Sequence, residues 1–270
     1  MKALTETFVA SPAPDLVWFT GADAVRFLND LISQEVAAMT PGQVRRSLLL
    51  NPQGRMDHLL WVLRGEEEVG LVTDPGRGAE LVTTLGRYRI RVAVDIEQSV
   101  DPAWLVIGPF SEAVGVWSRN ESSLIADVSW ANVPRFLVIG ERPDLPEIDS
   151  GTLDELRIES GEPVIGVDTG PSTIPQETGL VPVTVDLDKG CFLGQELVGR
   201  IHRRGHVNKQ LRVLQFAGEA AEAGSEITKG DLAVGTLTSV SGSVGLATLR
   251  REVEPGDSVI VGEMEAVVAR

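Results

Sequence analysis

The chain has 270 residues, 43% of them hydrophobic and 23% charged, the balance of a globular protein with a real core rather than a disordered or fibrous one. Lys and Arg number 24 against 39 Asp and Glu, and the resulting net charge of −15 opposes general binding to nucleic acid or anionic lipid. No apolar run approaches the roughly 18 to 20 residues of a membrane span, MKALTETFVASPAPD does not read as a secretory signal, and the single cysteine, Cys191, forbids an intramolecular disulfide, so a cytoplasmic protein is expected.

In chain order, GADAVRFLNDLISQEV predicts a helix from near Asp23, with Ala24, Phe27, Leu28, Leu31 and Ile32 at helical spacing, stopped before Pro41-Gly42. Residues 47–50, 58–64 and 69–74 read as short strands, and GRGAELVTTLGRYRI at 76–90 reads as a helix. A second pass places a strand at 104–108, a helix at about 111–119 and a strand at 134–140. Strand, helix, strand taken twice implies an α+β fold with helices packed on a sheet.

Residues 141–150 are rich in proline and acid, as a linker would be, and 152–159 reads as a helix. A Pro/Gly-rich excursion follows to Pro182, and an ordered loop of that length points to function. After about Lys209, apolar and polar residues alternate between glycine turns without a helical period, which predicts a small β-barrel. The expected units are 1–45 together with 148–205, then 46–147, then 209–270.

One segment stands out chemically. KGCFLGQELVGRIHRRGHVNKQLR, residues 189–212, holds six Lys or Arg against one acid, Glu196, on a protein that is otherwise strongly acidic. It suits a short anionic ligand, or, in the plainer reading, forms a solvated basic face paired with acids elsewhere. Cys191 follows Lys189 and precedes GQELV, which reads as a helix start, and both an ammonium and a helix N-terminus favour a thiolate. The rival reading is a small buried hydrophobe. His202 and His206 stand at i,i+4 but are interrupted by Gly205 and lack a third ligand, so no metal site is expected.

KGCFLGQE, residues 189–196, resembles the signature of the YgfZ family, folate-binding relatives of the glycine cleavage T protein that act in iron–sulfur cluster maintenance. TGADAVRFLNDLISQEV from Thr20, NPQGRMDHLLWV from Asn51 and LRIESGEPVIGVDTGPSTIPQE from Leu156 agree with it in order and spacing, so the resemblance spans nearly the whole chain. It implies a three-unit cloverleaf with ferredoxin-like α/β subdomains, a C-terminal small β-barrel, and tetrahydrofolate or a derivative bound between the first two units. Carried over by position, Glu159 matches the acid that binds the pterin ring, a role suited to a carboxylate accepting two parallel N–H bonds.

Asp57 and His58 occupy the place of a pair of T-protein acids, so one of two carboxylates is replaced. Arg89, with Arg91 in RYRIRV, can meet the folate glutamate carboxylates, against the plainer reading of exposed arginines on an edge strand. Gln195 joins the implied folate contacts, and Cys191 with Lys189 forms the implied catalytic thiol site. The function implied is support of iron–sulfur cluster assembly or repair, with reduced folate and iron–sulfur proteins or assembly factors as partners. Two alternatives stand beside it: an aminomethyltransferase moving a one-carbon unit to tetrahydrofolate, and a module binding RNA or another polyanion through residues 200–212.

Overall fold

Two short strands that the pattern above does not mark, β1 (Phe8–Ala10) and β2 (Asp15–Thr20), open the chain and go to different sheets. The structure, a computed structural model, describes residues 4–110 and 115–269. After β2 come α1 (Ala24–Leu31), β3 (Val44–Leu50), β4 (Met56–Arg64), β5 (Glu68–Thr73), α2 (Gly78–Gly86) and β6 (Asp95–Gln98). Their strands form an antiparallel sheet in the order β3-β4-β5-β2-β6.

Both helices cover one face of that sheet. Ala24, Phe27, Leu28 and Leu31 of α1, one turn apart, pack with Leu81 and Leu85 of α2 against Val17, Phe19, Leu60, Val62, Val69 and Leu71. Each such Leu or Phe contributes roughly 1.5–3 kcal/mol on leaving water. The helix α1 is shorter than its apolar pattern, because Ile32 turns extended to bridge Leu49 and the Asn29 Oδ1 accepts the N–H groups of Val36 and Ala37. The helix α2 likewise stops at Gly86, before the predicted end at 90, and Arg91 adopts a left-handed φ of 57°. Arg89 and Arg91 therefore sit in a loop and not on an edge strand.

The second sheet is antiparallel in the order β1-β7-β10-β9-β8, built from β7 (Ala103–Ile107), β8 (Trp117–Arg119), β9 (Ser123–Asp127) and β10 (Arg135–Gly140). The helix expected at about 111–119 is corrected here: 111–114 lie outside the described residues, and Trp117–Arg119 is strand. Tertiary contacts decide this local outcome. Trp117 packs at a tilt against Trp18 with ring centroids 5.7 Å apart, its indole N–H donates to the Arg64 carbonyl, and Asp127 accepts the Gly115 N–H.

Contacts group Lys2–Ile148 with Pro182–Glu196 in one unit, and Asp149–Val181 with Leu197–Arg270 in another. The expected boundary near residue 45 falls within β3, inside a single sheet, so it does not coincide with this grouping. The chain after the second sheet forms α3 (Ser150–Glu159), α4 (Val181–Thr184) and α5 (Gln195–Arg204), the last two spanning the points where it leaves the second unit and returns to it. The helix α3 starts where the Asp149 carboxylate accepts the Thr152 N–H at 2.9 Å, an ordinary N-cap.

The rest of that unit is the expected barrel. Strands β11 (Lys209–Phe216), β12 (Glu226–Lys229), β13 (Leu232–Ser241), β14 (Val244–Arg250), β15 (Ser258–Val261) and β16 (Met264–Val268) close in the order β11-β14-β13-β12-β15-β16. Alternation sends Leu214 and Phe216 into the barrel core with Leu237, Leu249 and Val261, while Val213 joins Val244 and Leu246 under Ile158 of α3. Among the described residues no helix is long and apolar enough to cross a membrane.

Candidate functional site

The cysteine segment forms an arch whose two feet are pinned within the first unit. At the first foot, the Asp186 N–H donates to the Ser33 carbonyl at 3.0 Å, and the Asp186 carboxylate accepts the N–H groups of Asp188 and Lys189. Ser33 is itself fixed, since its hydroxyl donates to the Thr184 carbonyl and accepts the Leu48 N–H. The Lys189 ammonium then turns to the end of α1, where it donates to the carbonyls of Asn29 at 2.6 Å, Ile32 at 2.8 Å and Gln34 at 2.8 Å. Those oxygens include C-terminal carbonyls left over by the helix, where a cation is favoured. Burial pushes the Lys189 pKa down to about 8 against the opposing pull of Glu35, Asp186 and Asp30, so at neutral pH the ammonium keeps all three donors.

At the second foot, Phe192 is buried beneath the ammonium, which lies 5.4 Å from its ring centroid, and Leu193 packs against the α1 core. Gly194 adopts φ +75°, and a Cβ there would stand 2.5 Å from the Asn51 carbonyl and 2.9 Å from Leu50. Only glycine fits that approach of the arch to the turn between β3 and β4. We expect Gly194→Ala to lower stability by about 2 kcal/mol, from the left-handed backbone and the displaced turn. Urea denaturation checks this, and a loss below about 0.5 kcal/mol would mean the turn is not held against Asn51.

Gly190 and Cys191 remain exposed between the feet, so the reading of Cys191 as a buried hydrophobe is excluded. The two features that suggested a thiolate are placed differently from expectation. The helix α5 begins at Gln195, four residues beyond Cys191, and the Lys189 N–H groups are committed to carbonyls. Gln195 serves its own turn, its Oε1 accepting the Phe192 N–H at 3.3 Å.

The turn that receives Gly194 leads directly into β4, which carries Asp57 and His58. The pairing of β4 with β3 shifts here, Leu49 lying opposite His58 and Leu50 opposite Met56, so Asp57 is the extra residue of a bulge. His58 shares the helix-covered face with Leu60 and Val62, is 1% exposed, and meets the Thr73 hydroxyl at 3.2 Å through Nδ1. It is thus a buried imidazole engaged by β5, chemically unlike a second carboxylate beside Asp57. Asp57 is half-buried, and desolvation, reinforced by Glu80 and opposed by Arg77, raises its carboxyl above the usual range. Arg89 is exposed and pairs with Asp95 at 2.8 Å.

Glu159, the last residue of α3, belongs to the other unit. Beyond it the chain is fixed by a residue that sequence inspection did not single out, Asp168. Its fully buried carboxylate accepts from the Arg157 guanidinium at 2.8 Å, the Val164 N–H at 2.9 Å and the Thr238 hydroxyl at 2.6 Å. Arg157 also donates to the Glu162 carbonyl. Among the described residues the half-buried Glu159 carboxylate has no hydrogen-bond partner, which leaves its oxygens open to an N–H donor edge. In the same unit Arg200, His202, Arg203, His206 and Lys209 are all exposed. Among the described residues no group of three or more His, Cys, Asp or Glu is placed to hold a metal ion.

Comparison with known proteins places these features in a lineage. Residues 178–269 match the family model described as CAF17, C-terminal beta-barrel domain. The chain is 31% identical to the mitochondrial iron–sulfur cluster assembly factor IBA57 of Homo sapiens, over 92% of this chain and 79% of that protein. It is 24% identical to the tRNA-modifying protein YgfZ of an Escherichia coli O6:H1 strain, over 88% of this chain and 76% of that one. Among solved structures, the glycine cleavage system aminomethyltransferase T from Bartonella henselae superposes with a TM-score of 0.83 at 18% identity, covering 98% of this chain and 85% of that one. That likeness confirms the expected α+β fold of the aminomethyltransferase type.

Proposed function

This chain belongs to the IBA57/YgfZ family, and from that premise we propose that it works in iron–sulfur cluster assembly or repair as a folate-binding protein with Cys191 as its working thiol. The observation that carries this reading is the exposed Cys191 on an arch held at both ends. A held, exposed thiol suits handover, because iron meets a sulfur already in place. One thiolate cannot retain a cluster, so the cluster is cargo: Cys191 supplies one iron ligand, its proton leaving to solvent, and thiolates of a partner or a second copy supply the rest. An exposed thiol must stay reduced for this, which suits the cytoplasm or another reducing compartment.

Tetrahydrofolate is the small-molecule part of the proposal. Glu159 is the residue that fits it, an acceptor-only carboxylate without a hydrogen-bond partner among the described residues. Arg89 and Gln195 support it less, since each already bonds within the chain. Asp57 favours a second reading, one-carbon transfer to tetrahydrofolate, because a desolvated carboxyl whose pKa is raised holds its proton more readily than a free one and is suited to general acid–base work.

Calorimetric titration with tetrahydrofolate and 5-formyltetrahydrofolate tests the proposal. We expect binding that Glu159→Ala weakens about 10- to 100-fold, the equivalent of a charge-assisted hydrogen bond or two. Cys191→Ser is expected to bind as the parent does, yet to lose support of a cluster-dependent enzyme in cells lacking the endogenous family member. Absence of binding heat removes folate from the account. Retained cluster support in Cys191→Ser removes the thiol, and loss of one-carbon transfer in Asp57→Asn alone selects the second reading.

A further inference from the structure

Lys189 was expected beside the thiol as part of the chemistry, but its surroundings describe another role. Three carbonyl oxygens, from Asn29, Ile32 and Gln34, converge on one nitrogen at 2.6–2.8 Å, using every N–H that an ammonium owns. The charges of Glu35, Asp186 and Asp30 reach it and favour its positive form. Phe192 closes the side below. This is the shell that proteins build around a small bound cation, assembled here about a side chain that belongs to the arch itself.

We infer that Lys189 is a positioning residue for Cys191: its ammonium acts as a built-in cation that closes an oxygen cage at the end of α1, and this charge, not the apolar stem, holds the cysteine arch in place. The inference deepens the proposed role of Cys191 and rests on it for biological meaning, but the arrangement is tested without cluster or folate. Removal of the side chain beyond Cβ leaves a cage and a channel matched to a three-carbon alkylammonium. The cage of Lys189→Ala therefore binds n-propylammonium, and tetramethylammonium, which has no N–H to donate, does not replace it.

The test uses the full chain and two readouts of the arch: hydrogen exchange of residues 186–195, and the mobility of a nitroxide attached to Cys191, which is the only cysteine. In Lys189→Ala we expect exchange in the arch to accelerate at least about tenfold and the nitroxide spectrum to narrow, as for a segment released from its tertiary contacts. Added n-propylammonium should restore both, and tetramethylammonium neither. Lys189→Met, which keeps an apolar stem and fills the channel, should be as loose as the alanine variant and should not respond to n-propylammonium.

An arch that stays ordered in Lys189→Met overturns the inference, because the stem then suffices. A loosened alanine variant that n-propylammonium leaves unchanged also overturns it. If Lys189→Ala does not fold, the methionine variant decides alone. Retained cluster support in Cys191→Ser cells overturns the proposed function and leaves these readouts untouched.

Discussion

Replacing Asp168 by alanine should destabilise the barrel-bearing unit by about 3–5 kcal/mol, the cost of breaking a buried ion pair from one side. The Asp168 side chain is fully buried and that of Arg157 is 12% exposed. Without the carboxylate, the Val164 N–H and the Thr238 hydroxyl each lose an acceptor, and a nearly buried guanidinium loses its closest counter-charge. The neighbouring Asp154 lies 3.2 Å from Arg157 Nε and is more than half exposed, so it is a weaker replacement. Urea denaturation of Asp168→Ala and Asp168→Asn measures this, with the asparagine variant intermediate because it preserves an acceptor. A loss below about 1 kcal/mol in the alanine variant would show that the pair does not hold the 160–168 loop to β13.

Acid should unfold the protein earlier than its carboxylates alone would dictate, because His58 is buried in its neutral form. Desolvation, with the Arg77 charge in support, lowers its pKa from 6.5 to about 4. The sign follows from proton uptake. Below pH 6.5 the unfolded chain binds a proton at this histidine that the folded chain refuses, so stability present at neutral pH is lost as pH falls from 6.5 toward 4. The full difference is about 3 kcal/mol, at roughly 1.4 kcal/mol per pH unit. Carboxylates titrate in the same window, so the informative quantity is the difference between the parent and His58→Leu. The parent's stability should fall more steeply over this range, and parallel curves would show that His58 takes up its proton while folded.

Much of this architecture could be read from local pattern, and the failures share one cause. The barrel and the helix near Asp23 announce themselves by periods of two and 3.6 residues, which neighbouring residues fix among themselves. The three residues of β8 carry no such period, and their strand conformation depends on Trp117 meeting Trp18 across the unit. The same holds at the site. The octapeptide marks where Cys191 lies, but the carbonyls that hold Lys189 are 155 to 160 residues earlier in the chain. Asp168 stands within the quoted block that begins at Leu156, yet its value as an anchor emerges only when the loop folds back on Arg157 and β13. The bulge at Asp57 belongs with these, since it is defined only by the pairing of β4 with β3.

The pinned feet of the cysteine arch also bear on how quickly a partner can engage and leave. Ordering a flexible segment on association costs roughly 1–2 kcal/mol of backbone entropy per residue, and a mobile loop of this length would absorb much of the binding energy of a modest interface. Here that ordering is complete before encounter, so preorganisation lets a small contact area suffice. For the handover proposed for Cys191, such a contact would form by simple collision and dissociate promptly, the kinetics expected of a transient encounter rather than of a permanent subunit.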